Sequence, residues 1–124
     1  MSVEPVNTRL DYLYRDASNY KQTSSVVFTG TLSAADRERF VAALDRGEWF
    51  IAEQVGLVNL RERWASPSED DHIWHESAGL WPTDEPADDG RSIVEFVDEV
   101  ERTTWDEPAA VARLEVWQRG EAVE

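Results

Sequence analysis

The stretch from Pro67 to Gly90 places both histidines of the chain among eight carboxylates, Glu69, Asp70, Asp71, Glu76, Asp84, Glu85, Asp88 and Asp89, with no lysine or arginine between them. Imidazole beside carboxylate suits zinc or a redox metal, and clustered hard oxygens suit calcium or magnesium. His72 and His75 stand at i, i+3, which is one face of a helix but opposite faces of a strand; in a strand, His72 and Glu76 share a face. Neither the helical metalloprotease spacing nor a calcium loop with its central glycine is present. A small metal-dependent enzyme using His72, His75 and Glu76 is one reading. A solvated acidic loop beside an amphipathic strand, with Ile73 packed inward, is the plainer one, and no cofactor is expected on it.

A second group is "YRDASNYK", where Arg15, Asp16, Asn19 and Tyr20 crowd into one polar loop. An arginine and an aspartate with hydroxyl donors could hold a phosphate or position a water. Hairpin-loop chemistry with a local Arg15 to Asp16 ion pair has the same composition. There is no glycine-rich phosphate loop and no elbow around a serine nucleophile. With no cysteine in the chain, a disulfide framework, a thiolate metal site and a thiol nucleophile are all excluded.

The net charge of -14 argues against direct binding to a nucleic-acid backbone, where affinity comes from Lys and Arg displacing counterions. Such a surface attracts basic partners, repels nucleic acid and membranes, or reflects a salty cytoplasm. Lys21 is the only lysine, and the other basic residues are arginine. That bias fits a GC-rich genome or a use for planar bidentate donors.

Six tryptophans are more than a core of 124 residues readily surrounds, so some are expected at a surface used for binding or self-association. Eight carboxylates without a local cation repel one another, and a basic protein partner would relieve them. The leading expectation is therefore an interaction or regulatory module for a partner with a basic surface. Asp70, Asp71, Asp84, Glu85, Asp88 and Asp89 would supply the charge, and Trp74 or Trp81 the buried anchor. A DNA-mimic inhibitor of a nucleic-acid-binding protein is a special case, and it needs carboxylates in a regular row along an elongated face.

The elements that must position these groups follow from local pattern. Bulky runs at Leu10 to Tyr14, Ser25 to Thr29, Trp49 to Ala52 and His72 to Glu76 read as strands, the first two joined as a hairpin. Ser33 with Asp36 opens a helix lined by Phe40, Val41 and Leu44, and Gly47 suits its end. Ser92 with Glu95 opens another, lined by Ile93, Phe96, Val97 and Val100 and ending near Thr103. Asp106 and Pro108 suggest a third with Val111 and Leu114 inward, although the tail "LEVWQ" also suits a strand. Gly56 to Trp64 is a loop or short helix.

The expected fold class is thus α+β. One domain over 1–124 carries a mainly antiparallel sheet of about four strands, with two or three helices packed on it. Residues 1–8 and 119–124 read as flexible ends and 82–91 as an acidic loop. No apolar run follows a positive amino terminus, and no 18 consecutive residues are apolar, so a cytoplasmic protein without membrane association is expected.

The segments "LYRDASNYK", "GEWFIAEQVGL" and "DDHIWHE", in this order and spacing, resemble an uncharacterised family of small acidic bacterial proteins, over roughly Leu10 to Trp81. The resemblance implies a compact α+β fold and lends no catalytic residue.

Overall fold

Thr8, Leu10, Tyr12 and Tyr14 are buried at every second position of strand β1 (Asn7–Arg15), so one face of the strand is committed to a core and the other carries Asn7, Arg9, Asp11 and Arg15 with Leu13 as its one apolar residue. The computed structural model describes residues 6–63 and 71–120. In it β1 pairs on one side with β2 (Lys21–Thr29) and on the other with β4 (His75–Thr83), and the two-residue β3 (Trp49–Phe50) lies outside β4. All pairings are antiparallel, giving the order β2-β1-β4-β3. The β1 to β4 register shifts between Asp11 and Tyr12, because Ala78 is an extra residue between Gly79, opposite Asp11, and Ser77, opposite Tyr12.

Helices α1 (Ala34–Ala43) and α2 (Ile93–Arg102) cover the inner face of the sheet. Phe40 and Leu44 meet Ile93, Phe96, Val97 and Val100 over Leu10, Tyr12, Phe28 and Leu80. The Phe28 and Phe96 rings stack with centroids 4.4 Å apart. Each large apolar side chain so buried contributes about 1.5–3 kcal/mol. Helix α3 (Glu107–Gln118) closes a smaller cluster of Ile51, Ile73, Ala110 and Leu114, against which Trp74, Trp105 and Trp117 pack.

Helix starts follow the capping signals. Ser92 Oγ accepts from Glu95 N–H at 3.1 Å while the Glu95 carboxylate accepts from Ser92 N–H at 2.9 Å, a complete capping box. Ser33 caps α1 through Asp36 N–H, but the Asp36 carboxylate turns to Arg39 instead of back to Ser33. Asp106 caps α3 through Ala109 N–H.

Arginines join the elements. Arg39 binds Asp36, Asp98 and Glu101, tying α1 to α2. Arg91 takes both oxygens of Asp89, the Glu99 carboxylate and the Val55 carbonyl, and lies over the rings of Phe28 and Phe96. Arg113 grips Glu62 with two bonds, 2.7 and 2.8 Å, linking α3 to the 3-10 turn Leu60–Arg63. A lysine provides no such planar fork.

Several expectations are corrected. The last strand begins at His75, not His72, because the His72 backbone and ring are taken by Tyr14, Arg15, Arg61 and Trp74 rather than by a neighbouring strand. Asn7 and Thr8 belong to β1, and Pro82 and Thr83 to β4, so the ordered sheet enters both the amino-terminal and the acidic-loop segments. The third strand stops at Phe50, and a 3-10 turn, Ala52–Val55, follows. Val41 and Val111 are 45% and 40% exposed, since Phe40 and Leu44 suffice to seat α1 and Ala110, beside Val111, faces inward. "LEVWQ" is helical, within α3. Among the described residues no helix is long and apolar enough to cross a membrane.

Candidate functional site

Arg15 ends β1, and the five residues after it close a turn whose polar groups are used on the turn itself. Asp16 N–H donates to Tyr20 O at 3.0 Å, the Asp16 carboxylate accepts Tyr20 N–H at 2.9 Å, and Asn19 takes a left-handed φ of 70°. Arg15 is held twice, by Asn19 Oδ1 at 2.8 Å and by Glu76 at 3.1 Å. The candidate ligand loop thus spends Arg15, Asp16 and Asn19 internally and leaves Tyr20 exposed.

The segment from Asp71 to Glu76 is laid against that end of β1 by side chains. Tyr14 Oη donates to Asp71 at 2.7 Å and accepts His72 N–H at 3.1 Å. Burial, then the Asp71 bond, pushes the Tyr14 phenol well above its usual range. His72 Nε2 donates to the Arg15 carbonyl at 2.6 Å and His72 Nδ1 accepts Trp74 N–H at 3.1 Å, a pair of bonds that fits the Nε2–H tautomer. The fully buried Arg61 donates to the His72 carbonyl at 2.8 Å and lies 5.5 Å from the Trp117 ring centroid.

His75 turns the other way, into the core, ringed by Tyr12, Tyr14 and Phe50. Its Nε2 accepts Leu60 N–H at 2.9 Å, and its buried Nδ1 has no partner. Burial first, then the charge of Arg61, pushes its pKa down to about 3. Glu76, the next residue, points to the opposite face and pairs with Arg15. His72, His75 and Glu76 therefore do not converge. Among the described residues no three His, Asp or Glu side chains are placed to share a metal ion.

What does converge is an open cleft of about 550 Å³ lined by Arg15, Asp16, Asp45, Arg46, Trp49, His72, Trp74, Glu76 and Glu107. Four elements build it. The turn after β1 brings Asp16, and the 71–76 segment brings Trp74 and Glu76. The turn before β3 brings Asp45, Arg46 and Trp49, with Trp49 directly opposite Glu76 in register. The first turn of α3 brings Glu107, pinned in place because Gln54 donates to the Asp106 carbonyl and accepts Asp106 N–H. Four carboxylates face two guanidiniums, and one of those, Arg15, is already matched by Glu76. Asp45 and Glu107 form no ion pair among the described residues.

The expected acidic surface is distributed differently. Asp70 lies outside the described residues. Asp71 is bonded to Tyr14, Glu85 to Arg9, and Asp89 to Arg91, which holds its carboxyl below the usual range. Asp88 accepts Val27 N–H at 2.7 Å. Arg9 reaches Glu85 from far along the chain and Arg91 reaches Asp89 from two residues away, while Asp84 is exposed and forms no ion pair among the described residues. Trp81, 48% exposed, faces solvent on the outer side of the sheet opposite Arg9, about 20 Å along β1 from Arg15. Trp74 lines the cleft, so the two tryptophans belong to opposite ends of the sheet.

Three contributors, Asp45, Arg46 and Glu107, had not been picked out from the sequence. Asp45 and Arg46 stand beside Gly47, which reads as a helix terminator but lies in the turn to β3; Asp45 and Gly47, two positions apart with Arg46 between them, were the available signal. Glu107 reaches the cleft only through the docking of α3, for which no local signal exists. No family model, no curated protein and no solved structure matches this chain, and its functional reading rests on this geometry.

Proposed function

We propose that the protein is a protein-protein interaction module that receives a basic side chain of its partner in the cleft between Trp49 and Trp74. The observation that carries this reading is the composition of the cleft: two indoles with four carboxylates against two guanidiniums, one of them matched internally. Indole faces attract cations, and carboxylates at the rim steer and orient them. The net charge of -14 extends the attraction over the approach. The DNA-mimic reading draws no support from acids that are matched inside the chain, such as Glu76, Glu85 and Asp89.

The test is a titration of the protein at low salt with short synthetic arginine- and lysine-containing peptides, followed by tryptophan fluorescence. Trp49→Ala and the double variant Asp45→Asn, Glu107→Gln should each weaken binding about fivefold or more. Equal affinity in the wild type and both variants would sink the proposal.

A further inference from the structure

Asp45, Arg46, Gly47 and Glu48 form a tight turn closed by Glu48 N–H to Asp45 O at 3.1 Å, and Asp45 and Trp49 then exchange backbone bonds of 2.7 and 2.9 Å. Both central residues have positive φ, 52° at Arg46 and 73° at Gly47. That is the handedness of a hairpin turn whose first central position favours Asn, Asp or Gly, because a longer side chain is strained there. An arginine at this position needs a compensating contact. Its guanidinium lies over the Trp49 ring, 5.8 Å from the centroid, and joins no carboxylate among the described residues although Asp45 is its neighbour.

We infer that the Trp49 face is a seat for an arginine guanidinium which the chain's own Arg46 fills in the free protein, so that the partner docks by exchanging its arginine for Arg46. This rests on the cleft being the partner site, and it adds both the chemical class of the incoming group and the contact that must open. Guanidinium is planar and weakly hydrated, and it stacks on an indole while staying partly wet. A compact ammonium holds its water more tightly and gains less in a cleft this open. Asp45 and Glu107, which line the same cleft, are then available to accept N–H groups from the incoming fork.

The variant that isolates the inference is Arg46→Asn, because asparagine suits the turn and removes the guanidinium. A short peptide alternating arginine with glycine is titrated against wild type, Arg46→Asn and Trp49→Ala, beside the same peptide with lysine, at low salt and at about 0.5 M salt, where charges beyond about 4 Å are screened. The expected result is about threefold tighter binding of the arginine peptide to Arg46→Asn, retained at the higher salt, with the lysine peptide weaker throughout. A gain that vanishes at the higher salt reflects only a lost positive charge, and that outcome overturns the exchange. No gain, or equal binding of the two peptides, overturns it as well. In each of those cases a loss of binding in Trp49→Ala leaves the cleft as the partner site, whereas peptide binding that ignores Trp49→Ala, or no binding in any form, overturns the proposed function and the exchange together.

Discussion

Tyr14 and Asp71, separated by 57 positions in the chain, are joined by a buried hydrogen bond of 2.7 Å that fastens the segment carrying Trp74 and Glu76 to the end of β1. The same phenol oxygen accepts His72 N–H, so one hydroxyl organises two points of that segment.

Tyr14→Phe keeps the ring and deletes this link. The buried Asp71 carboxylate and His72 amide each lose a partner, at a cost of about 1–3 kcal/mol. Urea unfolding should show that loss, together with weaker peptide binding, since one wall of the cleft loosens. An unchanged midpoint would mean that other contacts hold the segment.

His75 should make the fold acid-sensitive above the range of carboxylates. The unfolded histidine takes up a proton near its ordinary 6.5, whereas the folded one resists down to about 3. Between those values unfolding binds a proton, so stability falls as pH falls, by up to about 1.4 kcal/mol per pH unit. Asp89, kept low by Arg91, adds a loss of the same sign only as pH falls through its ordinary 3.8. Glu101, held low by Arg39, begins to add its own loss near its ordinary 4.5, so urea midpoints at pH 6.5 and 5.5 isolate the histidine. In His75→Gln, which retains an acceptor for Leu60 N–H, most of the slope over that interval should disappear.

Arg91→Lys preserves the charge and removes the fork. Lysine cannot hold both Asp89 oxygens while also reaching Glu99 and the Val55 carbonyl, and it stacks poorly on Phe28 and Phe96. A loss of about 1–3 kcal/mol is expected by denaturant unfolding. Full retention of stability would show that charge alone matters there, and that the arginine bias has no structural use at this position.

Gly79 has φ of +120°, and a Cβ there would stand 2.7 Å from the Trp81 ring that lies across it. Gly79→Ala should therefore cost about 2 kcal/mol, part of it backbone strain and part collision. Trp81→Ala in the same chain should recover the collision part but not the strain. Strictly additive effects in the double-mutant cycle would show that the indole simply moves aside.

Legibility in the sequence tracked the range of the interactions. The start and the buried stripe of α2 were readable because Ser92, Glu95, Ile93, Phe96, Val97 and Val100 all act within one helix. The start of β4 was not, because side chains of Tyr14 and Arg61 decide what the His72 backbone does. Arg15, Asp16, Trp74 and Glu76 were singled out as two separate groups. Their meeting depends on the pairing of β1 with β4, expressed in an Arg15 to Glu76 contact across 61 residues, which no local pattern encodes. The matching of Glu76 and Glu85 was hidden for the same reason, since Arg15 and Arg9 approach the acidic segment only in the folded chain, whereas Arg91 stands just past its end and pairs with Asp89 two residues away.

Strand β2 is an outermost strand of the sheet, where an unpaired backbone invites a second chain to add itself. At Val27 that invitation is withdrawn. The Asp88 carboxylate takes the outward N–H, the amides of Asp88 and Asp89 take the outward carbonyl, and Thr29 is bridged to Ser92. The acidic loop thereby works as a guard against edge-to-edge aggregation at the carboxy-terminal end of the strand, and Lys21, the only lysine of the chain, stands at the opposite end of the same strand, where a charged side chain discourages stacking.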